Sequence, residues 1–410
     1  MAPAAADDRA KTELPALLDE AERASPRLLA ARARAEAAAN VAPQKEALPD
    51  PRLSASYTND GLKDLTLGES EFSNLTVGWE QEVPARTVRS HAAAVADAQA
   101  ATLRAGSVTA GVMLRARVIT LYAELWRIDH RRALLAETRT LLNAAVEAAQ
   151  ARYESGEGIQ EGLVRAQSAI SRVDLEIEEE GLARSRTEIA LGAAVGRSGK
   201  AEFGPTGELP ELAGPIDADA LAAGAAASSP DVREASAREH GAEAQLDDAR
   251  IEVKPTFSWL AAYQFRGGLD PMVMGGFSVR LPVYKDRRQE RAIAGATLER
   301  AAAGHEREDA VVRAGAETRA NAAEVASLDI RLRLYREAIV PQAVTAFESA
   351  NAAFSSGRAE MFLVLDDLDR WIRARGEQLA LSARRIAAIA SIEASAGATL
   401  FEWSGPGRPR

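Results

Sequence analysis

The chain has 410 residues, with 27% charged residues, 5% aromatics, no cysteine and a formal net charge of −10. The acidic balance disfavours nucleic acid as a partner, and the lack of cysteine excludes a disulfide framework, thiolate metal sites and cysteine lipidation within these residues. The alanine-rich, aromatic-poor mixture is that of long helices and coiled coils, and no apolar run reaches the ~18 residues of a membrane-spanning helix.

The first ten residues read as a flexible N-terminus. Met1 to Asp8 carry neither the basic start nor the apolar stretch of a signal peptide, so the chain reads as cytosolic or as a mature form whose signal has been removed. Residues 11–46 read as one helix, stopped by Pro49 and Pro51. A strand is expected at about 53–59, where Leu53, Ala55 and Tyr57 alternate with Ser54, Ser56 and Thr58. A polar, glycine-containing loop leads to a second strand at about 72–83, with Leu75, Val77, Trp79 and Val83 on one face. From residue 85 the pattern is helical. Leu114, Val118, Leu121, Leu125 and Ile128, followed by Leu135 and Leu142, make a heptad seam. That helix, at 1.5 Å per residue, would be roughly 100 Å long. Gly156 and Gly158 break it, and a return helix runs to about residue 197, completing a coiled-coil hairpin over 85–197.

A Gly/Pro linker over 201–218 separates this unit from a second that repeats its order. A helix over 219–252 ends at Pro255. Strands follow at about 256–266 and 272–283, around the turn Gly267-Gly268, and a second coiled-coil hairpin occupies 285–397. Its long helix has a seam at Val325, Leu328, Leu332, Tyr335 and Ile339, with a bend or local adjustment expected at Pro341. Its return helix carries Leu365, Ile372, Leu379 and Ile386 at heptad spacing, and residues 399–410 read as a tail. Ser25-Pro26 is echoed by Ser229-Pro230, Pro51 by Pro255, Val83-Pro84 by Leu281-Pro282, and Tyr153-Glu154-Ser155-Gly156 by Phe354-Ser355-Ser356-Gly357. Self-similarity on this scale marks two copies of one unit, helix, strand, strand, long helix, helix, over 11–200 and 219–398.

Each strand has the length of a tilted transmembrane strand, with an apolar or aromatic face opposite a face of Ser, Thr, Asn, Gln and Gly. Four strands cannot close a barrel, which needs about eight, and open edges are not tolerated in lipid. Strands that cross a membrane would therefore require several chains to share one barrel.

With these markers in this order, the chain resembles the TolC-type outer-membrane efflux factor family over about residues 11–400. The junction Leu281-Pro282-Val283-Tyr284 and the compact length resemble its heavy-metal cation, CzcC-like branch. The resemblance implies a homotrimer: an α-helical barrel joined to a 12-stranded transmembrane β-barrel, four strands per chain, in the outer membrane of a Gram-negative bacterium with a large periplasmic extension. It implies a passive export duct for small molecules or metal cations, docked to a periplasmic adaptor protein and a proton-driven inner-membrane pump of the resistance–nodulation–division type. It also implies no enzymatic activity, no cofactor and no metal held by the duct itself.

By the same resemblance, Asp366 and Asp367 belong to the periplasmic constriction, together with Glu161, Tyr153 and Arg358. Three copies of Asp366 about one axis would attract cations, which predicts a cation-selective gate. Gly156, Gly357, Phe354 and Leu163 fall at the tip turns where an adaptor would dock. Val77, Trp79, Phe257, Trp259, Tyr263, Phe265 and Phe277 are the candidates for the lipid-facing surface. The alternatives are a soluble coiled-coil scaffold with a small capping sheet, or a periplasmic adaptor, for which the strands are too few. A hydrolase is disfavoured because no nucleophile elbow, phosphate loop or paired catalytic acids are present in the sequence. The four histidines, His91, His130, His240 and His305, lack ligand spacing.

Overall fold

The computed structural model describes residues 11–156, 160–199, 201–252, 254–281 and 284–401. Residues 1–10, Gly158, Pro282, Val283 and residues 402–410 of the tail lie outside the described residues. The chain is mainly helical with one antiparallel sheet. Its elements are α1 (Leu14–Ala24), α2 (Pro26–Ala39), α3 (Val41–Glu46), β1 (Arg52–Thr58), β2 (Asn74–Val83), α4 (Arg86–Glu154), α5 (Gln160–Val195), α6 (Ala218–Ser228), α7 (Pro230–Ile251), β3 (Thr256–Arg266), β4 (Leu269–Arg280), α8 (Gln289–Leu334), a π-helical turn at Tyr335–Ile339, α9 (Val340–Ser355) and α10 (Met361–Ala396).

Three stretches read as single helices are interrupted, each for a local reason. Ser25 and Ser229 are extended, at ψ 115° and 130°, because the proline that follows disfavours helical backbone before it. Pro26 and Pro230 then open new helices, where the missing N–H is no loss. Asn40 ends α2, and the short α3 with Pro43 follows. Next to Pro341 the long helix of the second copy widens into the π turn, whose extra residue rotates the seam out of phase. Val325, Leu328 and Leu332 are accordingly buried while Ile339 is 39% exposed.

The described residues form two compact units, one comprising those within 11–30, 108–232 and 311–401, the other those within 31–107 and 233–310. The first unit is helical. Its seam residues Val118, Leu125, Ile128 and Leu135 are fully buried, with Ile389 and Ile392 among their equals. Lower in the same unit, Leu135, Leu142, Val173, Leu368 and Ile372 bring α4, α5 and α10 into one apolar cluster. Arginines of α4 tie to acids of α5, Arg127 to Glu180 at 3.2 Å and Arg131 to Glu176 at 2.7 Å. In the second hairpin Arg331 reaches Glu377 at 3.0 Å and Arg384 reaches Glu324 at 2.8 Å.

The segment that composition marks as a linker is strapped down. Thr12 N–H donates to the Pro205 carbonyl at 2.8 Å, and Gly207 N–H donates to that of Thr12 at 3.0 Å. Asp129 accepts from the backbone and the hydroxyl of Thr206, and also from Arg184, which donates as well to the Phe203 carbonyl at 3.0 Å. Leu400 and Phe401, read as part of the tail, are likewise held. Buried Glu393 accepts from both backbone N–H groups, at 2.6 and 3.1 Å.

The second unit holds the sheet, in the order β1-β2-β3-β4 with every pair antiparallel. Alanines pack where helices approach, with Ala42, Ala93 and Ala96 forming a buried cluster. Pro271 falls in β4, an edge strand, where a missing N–H is tolerated.

The two copies end in contacts of the same form. Gly196, after α5, has φ +85°, and a Cβ there would lie 2.3 Å from the Ala24 carbonyl oxygen and 3.3 Å from the Pro26 ring. Gly397, after α10, has φ +66°, and its Cβ would lie 2.1 Å from the Ser228 oxygen and 3.3 Å from the Pro230 ring. Each return helix thus stops by pressing a left-handed glycine onto the Ser-Pro break of its own copy. We expect Gly397→Ala to lower stability by more than the ~1–2 kcal/mol of left-handed backbone alone, because a carbonyl must also move. Gly199→Ala, at φ +87° with nothing within 4 Å, should show only the backbone part in urea unfolding.

Candidate functional site

The two helix–turn–helix tips of the first unit are built alike. Gly156 follows α4 at φ +75°, and its N–H donates to the Tyr153 carbonyl. Gly357 follows α9 at φ +74°; its N–H donates to Phe354, and that of Arg358 donates to the Ala353 carbonyl at 2.8 Å. A Cβ at Gly156 would meet nothing within 4 Å and one at Gly357 only Arg152 Nη2 at 4.0 Å, an ordinary contact, so backbone conformation, not room, requires both glycines.

Equivalent positions of the repeat face different ways. Tyr153 is 47% exposed, whereas Phe354 is buried with Met361, Val364 and Ala166. Arg152 covers Phe354, its guanidinium 5.0 Å above the ring, and donates to the Phe354 carbonyl at 3.1 Å. Leu163 packs half-buried against the same cluster. Glu161, in the first turn of α5, accepts from Arg165 at 2.8 Å. Arg358 donates to Ser356 Oγ at 2.9 Å. Glu161, Phe354, Gly357 and Arg358 line one cleft of about 440 Å³ with Arg152 and Phe362; Tyr153, Gly156 and Leu163 lie outside its lining.

Asp366 lines a neighbouring cleft of similar size, shared with Arg131, Arg165, Arg172, Glu176 and Arg373. It pairs with Arg370 at 2.7 Å. Asp367 is buried and pairs with the same guanidinium at 3.1 Å. Asp369 pairs with Arg373 at 2.6 Å. Asp366/Arg370, Asp369/Arg373 and Glu161/Arg165 all have the i,i+4 spacing of helical ion pairs, a signal in the sequence that marks the partners of these acids.

Arg131 is the residue that no spacing points to. From α4 it donates Nη1 to the Ile372 carbonyl of α10 at 3.0 Å while pairing with Glu176 of α5. The guanidinium lies against Gly376, where a Cβ would meet Nη1 at 2.2 Å. One turn away, burial works against the charge of Arg127, but hydrogen bonds from it to Glu124 and Glu180 hold it protonated above the usual guanidinium range.

The sheet of the second unit presents a second candidate surface. Register places Val77 beside Tyr263, Trp79 beside Ala261, Leu75 beside Phe265, and Trp259 beside Phe277, with the last pair's rings 6.2 Å apart. With Phe257 these residues share one face, and all are exposed, Phe277 by 72%. The other face carries Ser54, Thr76, Gly78, Ser258, Gln264 and Ser278, interrupted by Leu260, Met272 and Met274. β1 and β4 each have one strand neighbour among the described residues. No described helix is long and apolar enough to cross a membrane, and no group of three or more His, Asp or Glu among the described residues is arranged to hold a metal ion.

This fold is shared with solved structures of outer-membrane proteins. It matches the outer membrane protein VceC of Vibrio cholerae at a TM-score of 0.76 and 21% identity, over 94% of this chain and 96% of that one. It matches the CmeC outer membrane channel of Campylobacter jejuni at 0.79 and 14%, over 94% and 85%, and the open state of the MtrE outer membrane channel of Neisseria gonorrhoeae at 0.76 and 17%, over 94% and 88%. No protein-family model and no curated protein matches the sequence. At these identities the likeness establishes the fold.

Removing the Arg131 contact should loosen α10. We expect Arg131→Ala to speed amide hydrogen exchange around residues 372–380 and to cost about 1.5–3 kcal/mol, the range for a hydrogen bond from a charged group. Gly376→Ala should displace the same guanidinium at a smaller net cost, because a flexible side-chain end can shift and alanine gains about 1 kcal/mol over glycine within a helix; the double variant should be no worse than Arg131→Ala alone, the non-additivity of a shared contact.

Proposed function

We propose that the chain is the outer-membrane channel of an export system, a passive and non-catalytic duct for small solutes. The observation that carries this is the sheet, which has one exposed aromatic face, one largely polar face and two open edges, in a chain whose fold is that of outer-membrane channels. Lipid suits the aromatic face and water the polar one. Backbone groups in lipid must be satisfied within protein, so the edges require neighbours. Three chains give twelve strands and a closed barrel with β4 of one chain against β1 of the next, and the helices continue it as an α-helical barrel into the periplasm of a Gram-negative cell.

In this reading the helical tips are the inner end of the duct, where a periplasmic adaptor and a proton-driven inner-membrane pump supply specificity and energy. The tip turns at Gly156 and Gly357 are the adaptor's docking points, with Tyr153 exposed beside them and Leu163 and Phe354 supporting them from within. The exposed stripe of α10, which carries Phe362, Asp366, Asp369, Arg370 and Arg373, lines the constriction, with Glu161 and Arg358 at its rim. Whether the cargo is a metal cation, as the CzcC-like junction suggests, turns on the charge of that stripe.

The face assignment is testable with two adjacent substitutions in β2. Val77 lies on the aromatic face and Thr76 on the polar one. Val77→Lys should block recovery of a heat-modifiable trimer from the outer membrane, since a lysine at the bilayer midplane costs about 2–4 kcal/mol per chain; Thr76→Lys should assemble normally. Equal tolerance of both, in a chain that fractionates as a soluble monomer, would return the sheet to the role of a soluble cap.

A further inference from the structure

We infer that Arg370 sets the charge selectivity of the duct's constriction, by cancelling the acids beside it and leaving a passage that does not select cations. The inference rests on the channel reading above and concerns the face of α10 that reading assigns to the lumen. Three aspartates in four residues, Asp366, Asp367 and Asp369, would by themselves make that face strongly negative. The structure gives each a guanidinium at contact distance: Arg370 serves Asp366 at 2.7 Å and Asp367 at 3.1 Å, and Arg373 serves Asp369 at 2.6 Å.

Accessibility decides what a passing solute meets. Arg370 and Arg373 have side chains 66% and 76% exposed, against 35% for Asp366, 50% for Asp369 and 9% for Asp367. The arginine heads are therefore the outermost charges on the stripe, and the acids lie beneath or beside them. The cleft around Asp366 adds Arg131 and Arg165, which pair with Glu176 and Glu161, and also Arg172. Opposite charges about 3 Å apart act as a dipole, and its field is screened within the Debye length of about 8 Å at physiological salt. Arg370 and Arg373 offset two of the three acid charges, the third stays with buried Asp367, and Arg172 brings one further positive charge to the cleft; a three-fold repeat therefore presents mainly dipoles at the accessible surface, and the local enrichment of cations that an aspartate ring would create is lost.

The same stripe exposes Phe362 by 55% and Leu363 by 43%. Arginine forks with an adjacent aromatic suit uncharged, zwitterionic or anionic organic solutes, and this chemistry is opposite to that expected of a divalent-cation passage. Asp366 then serves to position Arg370, and the arginine is the specificity-determining group.

The test is the potassium-to-chloride permeability ratio of the detergent-extracted full chain in planar bilayers under a salt gradient. The wild type should give a ratio close to one. Arg370→Gln should raise it several-fold, Arg370→Lys should return it toward the wild-type value, and Asp366→Asn should move it the other way. Trimers of each variant are checked by electrophoresis before reconstitution. A strongly cation-selective wild type, or an intact Arg370→Gln trimer with an unchanged ratio, would overturn the assignment while leaving the channel reading standing. No channel events from intact wild-type protein would overturn the channel reading itself, and the assignment with it.

Discussion

β1 and β4 each have a single strand partner, so half of the backbone N–H and C=O groups along each outer edge are left for water or for another chain. The face that carries Trp79, Trp259, Tyr263, Phe265 and Phe277 is left open at the same time. A soluble protein would cover such a face with helices, but the chain spends its helices elsewhere: α4 alone has 69 residues. In the channel we propose, lipid covers the aromatic face and copies of the chain fill the edges, and the remaining architecture follows from that need. Helices that would be excessive as a cover for four strands suit that proposed channel as the walls of a passage extending away from the membrane.

Within the helical unit, arginine carries much of the specificity of packing. The seams are largely aliphatic and alanine-rich, and would let neighbouring helices slide or rotate by a turn at modest cost. Arg131, Arg152 and Arg184 prevent that by reaching backbone carbonyls on other elements, at Ile372, Phe354 and Phe203. A carbonyl inside or just past a helix has one position along the axis, so each such bond fixes register as well as proximity. Arginine suits the task because its fork binds a carbonyl and a carboxylate together, as Arg131 does with Ile372 and Glu176.

The strands were legible because alternation of apolar with small polar residues has a period that helices do not share. β3 spans Thr256–Arg266, and Phe257, Trp259, Tyr263 and Phe265 do fall on one face. Helix interruptions were less legible. Ser25-Pro26 and Ser229-Pro230 stood out as repeat markers, yet both stretches read as continuous, since alanine-rich sequence on either side outweighs one break. The heptad seam of the second copy ran on to Ile339 because a π turn adds a residue without leaving a composition signal. At the tips, the acids were legible and their neutralisation was available in the i,i+4 arginines. The contact of Arg131 with Gly376 was not, since the two residues are far apart in the chain and meet only once three helices have packed.

The glycine stops at Gly196 and Gly397 have a further meaning. Each joins the end of its copy to the Ser-Pro break near that copy's beginning. Each copy is therefore a closed loop of chain: it leaves from one point, makes its excursion through strands and hairpin, and comes back to the same point to be fastened there. A segment whose two ends already meet can be placed twice in succession with only a short join between, and neither copy has to be rebuilt to admit the other. The short strapped segment after Gly199 is such a join. Tandem doubling of an ancestral half-length gene would need no new architecture at the seam, and the fastening would persist in both descendants after most side chains had diverged, because it is made of backbone geometry and one missing Cβ.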